Sequence, residues 1–315
     1  MKTLNDYFIQ YDNVIALDNS DYKKIREKRE TIINELKSDE NLMSFDVINL
    51  GSYKLKTGVK YKNNDYDIDC GIRLGIKKSD ISNYSAHDCK LAVYDAIKNC
   101  RDKKFKTKCI TVKYYRDDSP YFHVDFPVFA YDADEKTYYL ADGKLNEDIK
   151  WVESKPEDLI EYLDLKDDNY KRVVRLLKKW NSKAFENSKK DTKAPSVALT
   201  IESRQWFEHN KYNDDITTLI EVLERISGLI LADTIFKKNP YSNDNLYYKM
   251  NADSDCVNSF KDGLSNAISI LKEAKECSKN SLYEAYKKLK KIFPDFPEPE
   301  KEKANESYGT NAKYA

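Results

Sequence analysis

GSYKLKTGVKYKNNDYDIDCG, Gly51 to Gly71, holds three aspartates, Asp65, Asp67 and Asp69, alternating with Tyr66, Ile68 and Cys70. Side chains two apart on a strand share a face. The alternation therefore predicts a strand over about Asp65–Leu74, with Tyr66, Ile68, Cys70, Ile72 and Leu74 buried and the aspartates together on the other face. Carboxylates this close repel one another unless something cationic sits between them. Hard divalent cations prefer oxygen ligands and are typically held by a few carboxylates plus substrate phosphates. Upstream, SFDVINL (Ser44–Leu50) reads as a strand running into Gly51-Ser52. There a glycine lets the backbone approach a phosphate, and Ser52 adds a hydroxyl donor.

A third carboxylate on a neighbouring strand would complete a two-metal site, with ions about 3.5–4 Å apart. Asp125 in YFHVDFPVFAY lies mid-strand between Val124 and Phe126, and a charge inside so apolar a run needs a partner. Alone, DYDID reads as an acidic edge strand or turn, and a lone Gly-Ser reads as a turn. In this order the three elements describe phosphoryl or nucleotidyl transfer.

Composition narrows the classes. Lys+Arg and Asp+Glu both number 54, so net charge gives no support to bulk nucleic-acid binding, although a local basic groove stays open. With 34% charged and 40% hydrophobic residues, the 315-residue chain reads as soluble and globular, with room for a sizeable core. No run approaches the roughly 18 apolar residues of a membrane span. The polar MKTLNDYFIQYDN start does not read as a secretory signal. The six cysteines form no C-x-x-C pair, so zinc and a disulfide framework are not expected, and reduced thiols in a cytoplasmic protein are.

Ser20–Ser38 predicts a helix capped by Ser20, with Ile25, Ile32, Ile33 and Leu36 inward. HDCKLAVYDAIKNC predicts another, with Leu91, Tyr94 and Ile97 inward. KCITVKYY and YFHVDFPVFAY read as strands joined through RDDSP, and TYYLADGKL as a hairpin-like piece. From Pro156 the pattern turns helical. The layout is an α+β half followed by a helical half, with a soft boundary near 150–165, and the Ser20–Ser38 helix is free to pack against either. The segment after Pro294, rich in Pro, Glu, Lys and Asn, reads as a disordered tail.

The order Gly51-Ser52, Asp67-Ile68-Asp69, Asp125 resembles the polymerase-β-type nucleotidyltransferases. DIDCG (Asp67–Gly71), HVDFPVFAY (His123–Tyr131) and WVESKPEDLIEY (Trp151–Tyr162) resemble bacterial CD-NTases, relatives of cyclic GMP-AMP synthase. RLLKKW (Arg175–Trp180), PSVALT (Pro195–Thr200) and NPYSNDNL (Asn239–Leu246) look like that family's helical half. The resemblance runs from about Ser20 to about Leu289. It implies a polymerase-β-like core with a mixed central sheet over 1–160, a C-terminal helical domain over 161–293 completing the nucleotide pocket, and a tail over 294–315.

The resemblance also implies a function: synthesis of a cyclic oligonucleotide messenger, a cyclic dinucleotide for preference, from ATP and/or GTP in anti-phage (CBASS) signalling. By that resemblance Asp67, Asp69 and Asp125 are catalytic and bind two Mg²⁺, with Mn²⁺ as an alternative. Gly51 and Ser52 hold the β- and γ-phosphates, and Lys178 and Ser196 contact the triphosphate from the helical half. Against these stand a solvated helix face for Lys178 and a plain N-cap for Ser196. The register of the metal pair is open to Asp65 and Asp67; Gly71, as in DIDxG, favours Asp67 and Asp69. Lys54, Lys56, Lys60 and Lys62 would ease a polyphosphate's charge or form a solvated loop, and His123 would touch the site or be a satisfied edge histidine. A separate effector protein would answer the product, and a regulatory partner could act on the tail. The competing functions are a cyclic trinucleotide synthase, a transferase acting on a macromolecular or small-molecule acceptor, and a non-catalytic nucleotide-binding module.

Overall fold

A computed structural model describes residues 2–61, 66–100, 102–116, 119–210, 214–231, 240–241 and 245–300, with only the backbone of Tyr66, Asp67, Arg116, Ser119, Pro120, Tyr121, Lys190 and Leu231. Asp65, Lys62 and residues 301–315 lie outside the described residues, as does part of NPYSNDNL.

Two helices open the chain, α1 (Leu4–Ile15) and α2 (Asn19–Ser38). Then come β1 (Phe45–Asn49), a short α3 (Gly51–Leu55), β2 (Tyr66–Leu74) and α4 (Ala86–Ala96). Six strands follow: β3 (Asp102–Phe105), β4 (Ile110–Arg116), β5 (Ser119–Phe126), β6 (Val128–Asp132), β7 (Thr137–Asp142) and β8 (Lys150–Ser154). The rest is helical: α5 (Pro156–Leu163), α6 (Asp168–Ala184), α7 (Ser196–Phe207), α8 (Asp215–Leu231), α9 (Tyr248–Asn251), α10 (Ser254–Cys277) and α11 (Leu282–Leu289).

The strands form one mixed sheet, ordered β3-β4-β5-β2-β6-β7-β8, with β1 also paired to β2. β2 runs parallel to β5 and β6, and the other pairings are antiparallel. Asp69 pairs with Asp125 and Ile72 with Val128, so β5 and β6 keep one register and lie end to end along the same edge of β2. The segment expected as a single strand is thus interrupted at Pro127. Proline has no N–H to give the ladder, yet its carbonyl still accepts from Ile72 N at 2.9 Å. The interruption is where the outer neighbour changes, from β4 alongside β5 to β7 alongside β6.

Lys90 of α4 fills that junction. Its ammonium donates to the carbonyls of Lys106 (2.8 Å) and Thr107 (2.7 Å) before β4, and of Ala141 (3.1 Å) and Gly143 (3.0 Å) at the end of β7. It is fully buried, with Val93, Ala96 and Ile97 alongside, while Leu91 and Tyr94, expected inward, are half-buried. Burial pushes the Lys90 amine down to about 8, which leaves it protonated at neutral pH.

Helix α2 lays Ile25, Ile32, Ile33 and Leu36 on the sheet core. Its cap is Asp18, not Ser20: the Asp18 carboxylate accepts from the backbone N of Ser20 and Asp21. Helix α1 joins the other core, with α6, α7, α8, α10 and α11. Phe8 and Tyr11 are both buried, and Phe296 packs against them with ring centroids 5.0 and 5.2 Å away. The packed chain therefore continues past Pro294, where a disordered tail was expected, because Phe296 fills a gap beside α1. Leu55 of α3, Leu163 of α5 and Ile201 of α7 form a small core where the two halves meet.

Candidate active site

Residues Ile68, Cys70, Val124 and Phe126 are buried in the sheet core. Strand alternation therefore turns Asp69 and Asp125 to the opposite face, as neighbours on adjacent parallel strands. The backbone of Asp67 pairs with His123 one step earlier in the same ladder. Its side chain, like Asp65, lies outside the description. Thr111 of β4 sits directly across from Asp125 and donates to its Oδ1 at 2.5 Å. Lys106 Nζ lies 3.7 Å from the same oxygen. Cys109, 3.7 Å from the Thr111 hydroxyl, has its thiol pushed up to about 12, first by burial and then by the charge of Asp125.

The Gly-Ser turn expected after β1 is the first turn of α3. Gly51 has φ +57°, the left-handed region open to glycine. A β-carbon placed there would lie 1.8 Å from Asp69 Oδ2, so only a glycine lets the carboxylate rest against this backbone. Leu50 N bonds the Asp69 carbonyl at 3.0 Å, locking the entry of α3 onto β2. The first backbone N–H groups of a helix have no intrahelical partner and face incoming anions.

Above this lies a cavity of about 240 Å³ between the sheet and the helices. Gly51, Ser52 and Asp69 line it from below, and Lys178 and Ser196 from the helical half, with Leu55, Leu159, Ile160 and Val197 supplying apolar wall. Five of the seven expected site residues thus meet around one space. Asp125 stands beside Asp69 in the ladder but is outside this lining.

The helical wall departs from the alternatives of a solvated lysine and a plain N-cap. Lys178 is no solvated lysine: it is 5% exposed, its Nζ 3.1 Å from the Thr57 carbonyl and 3.2 Å from the Thr57 hydroxyl. Its neighbours grip the same loop. Arg175 forks onto both oxygens of Asp12 in α1 and donates to the Lys56 carbonyl at 2.9 Å, and Lys179 donates to the Lys60 carbonyl at 3.1 Å. Ser196 is the first residue of α7 behind Pro195 and makes no capping bond. Lys60 pairs with Asp18 and Asp21 at 2.7 and 2.9 Å. Burial alone would lower the Lys60 ammonium, but those hydrogen bonds raise it above the ordinary lysine value, so this lysine is committed to α2. Sequence reasoning missed Thr57, Thr111 and Lys90. No short-range pattern marks them, since each acts through a partner far along the chain.

Among the described residues no helix is long and apolar enough to cross a membrane. Nor do three His, Cys, Asp or Glu side chains among them form a group that could hold a metal ion. The donors present are still the hard oxygens a divalent cation takes: Asp69 and Asp125 abreast, with a glycine where any side chain would fill the space over Asp69.

Adjacent carboxylates on a mixed sheet, beside the start of a short helix and closed by a helical half, are the arrangement that the nucleotidyltransferase reading expects. Residues 46–129 match the family model of the cyclic GMP-AMP synthase DncV-like nucleotidyltransferase domain. The fold matches CD-NTase CdnG of Bradyrhizobium diazoefficiens, solved with GTP, at TM-score 0.70 and 13% identity, covering 92% of this chain and 99% of that one. It matches apo DncV of Vibrio cholerae at TM-score 0.74 and 15% identity, covering 93% and 96%. Escherichia coli DncV with 3'-deoxy GTP matches at 0.67 and 15%, covering 90% and 92%. No curated protein sequence matches the chain. Residues 46–129 are thus similar to a DncV-like nucleotidyltransferase domain, and the chain has the fold of the solved CD-NTases, as its motifs suggested.

Proposed function

We propose that the protein is a Mg²⁺-dependent synthase joining NTPs into a cyclic oligonucleotide, a cyclic dinucleotide in the first instance, with release of pyrophosphate. The observation that carries this reading is the register of Asp69 beside Asp125, under Gly51-Ser52 and facing Lys178 and Ser196 across one cavity. Likeness to folds solved with GTP, and to Vibrio cholerae DncV solved with the linear intermediate 5' pppA(3',5')pG, supports it.

Asp67, Asp69 and Asp125 would hold two Mg²⁺, which when bound lower the pKa of an attacking hydroxyl and neutralise charge on the triphosphate. The chain's own groups do the rest. The start of α3 and Ser52 take the β- and γ-phosphates, Lys178 adds a charge-assisted bond, and the aliphatic wall excludes water around the nucleotide. The ribose hydroxyl oxygen bonds to the α-phosphorus as the bond from that phosphorus to pyrophosphate breaks, and the hydroxyl proton passes to the Asp125 carboxylate. A second round on the linear product closes the ring. In this reading a separate effector answers the product during anti-phage defence, and the chain works in the cytoplasm.

The test incubates the full chain with labelled NTPs and Mg²⁺ and no acceptor, then adds phosphatase. A phosphatase-resistant product is expected. Asp69→Asn and Asp67→Asn should each lower its rate by about 1,000-fold or more, since each removes a group meeting charge that develops in the transition state. Full activity in both variants would overturn the site; a label found only on an added acceptor would overturn cyclisation.

A further inference from the structure

We propose that Thr111 is a positioning residue for Asp125, setting the direction of that carboxylate through its hydroxyl. This inference rests on the nucleotidyltransferase reading above and names a further residue of the same site.

A carboxylate turns readily about its last torsion, whose well is broad and roughly two-fold. At Asp125 the turn is decided by the neighbouring strand. Thr111 and Asp125 are direct partners in the antiparallel ladder, so both side chains stand on one face, close enough to touch. Among the described residues, the polar contacts made to Asp125 fall on Oδ1: the Thr111 hydroxyl at 2.5 Å and the Lys106 ammonium at 3.7 Å. The two differ in kind. The Lys106 side chain is 45% exposed and long, whereas Thr111 has no exposed surface and its branched β-carbon restricts its rotamer. A hydroxyl has a single proton. With that proton given to Asp125, the Cys109 thiol 3.7 Å away is left as the donor to Thr111 Oγ1, which fixes the hydroxyl from its other side.

The backbone beneath is held as well. Lys90 binds the carbonyls of Lys106 and Thr107, and Lys106 N bonds the Cys109 carbonyl at 2.9 Å, so the turn entering β4 is tied at both ends. Ile110 and Val112 on either side of Thr111 are fully buried. The register shift in this ladder comes later, between Tyr114 and Tyr115. Hydrogen bonds to a metal-ligating carboxylate orient it, and losing one typically costs about 10–100-fold in metal affinity or activity.

The experiment compares wild type, Thr111→Val and Thr111→Ser as full-length chains. Valine keeps the shape and removes the hydroxyl; serine keeps the hydroxyl and removes the methyl. Free Mn²⁺ is followed by electron paramagnetic resonance during titration with a non-hydrolysable GTP analogue present, alongside thermal unfolding and the Mg²⁺ dependence of turnover. Thr111→Val should bind Mn²⁺ about tenfold more weakly and need correspondingly more Mg²⁺ for half-maximal rate, while Thr111→Ser stays within about threefold of wild type. Wild-type Mn²⁺ affinity in Thr111→Val, or equal losses in both variants, overturns the inference and leaves the function standing. A wild-type chain that binds no Mn²⁺ and makes no product overturns the function, and the inference with it.

Discussion

On the sheet wall of the cleft, Asp69 and Asp125 are placed by the ladder between β2 and β5 and by the period of two along each strand. On the helical wall, Arg175, Lys178 and Lys179 of α6 reach across to carbonyls of Lys56, Thr57 and Lys60 with long side chains, each fixed by what it meets at the far end. The acids are short and sit where the backbone puts them; the bases are long and sit where their partners hold them. The acids thus depend on the register of one ladder, and the bases on the position of the 56–60 loop that they bind.

Three substitutions break or sharpen that contrast. Gly51→Ala should do most. It asks an L-residue to hold φ +57° and sets a methyl 1.8 Å from Asp69 Oδ2, so either α3 or the carboxylate must move. Misplacing reacting groups by about 1 Å can cost around 100-fold, and a fall in kcat of at least about that size is expected in steady-state assays. Near-normal turnover would mean that Asp69 is not held against the start of α3. Lys178→Met should act on the other wall, raising KM for NTP by about tenfold or more with a smaller change in kcat, since a hydrogen bond to a charged group is worth about 1.5–3 kcal/mol. A selective fall in kcat would place Lys178 with the acids. Lys60→Met should do least. Its ammonium is spent on Asp18 and Asp21, so kcat and KM should stay within about twofold, the range expected when a partly exposed ion pair is lost. A large rise in KM would return the 56–60 loop to the phosphate site.

The same contrast explains what the sequence discloses. The β2 alternation, the mid-strand Asp125 and the Gly-Ser pair are local patterns, so the sheet wall could be read from them. Helix α1 is legible too, since Leu4, Tyr7, Phe8, Tyr11 and Ile15 recur at helical spacing behind a Thr3–Asp6 capping box. Other features are not local. Lys90 looks like any helix lysine until four carbonyls, two from the turn between β3 and β4 and two from the end of β7, surround it. Lys178 reads equally as a solvated face until Thr57 arrives, and Pro127 reads as mid-strand until the outer partner changes beside it. The cap of α2 lies two residues before Ser20 because DNSD offers several acceptors and only geometry chooses among them.

The end-to-end arrangement of β5 and β6 along β2 bears on how the chain reaches this state. β2 must wait for neighbours synthesised more than fifty residues later, and such remote parallel pairing is slow because loop closure precedes any gain from contacts. Asp69 and Asp125 are far apart until that step, so their repulsion burdens the closing of the ladder and not the early collapse. Divalent ions and nucleotide bound as proposed would oppose the reverse step, so substrate should lengthen the lifetime of the folded protein more than it hastens its formation.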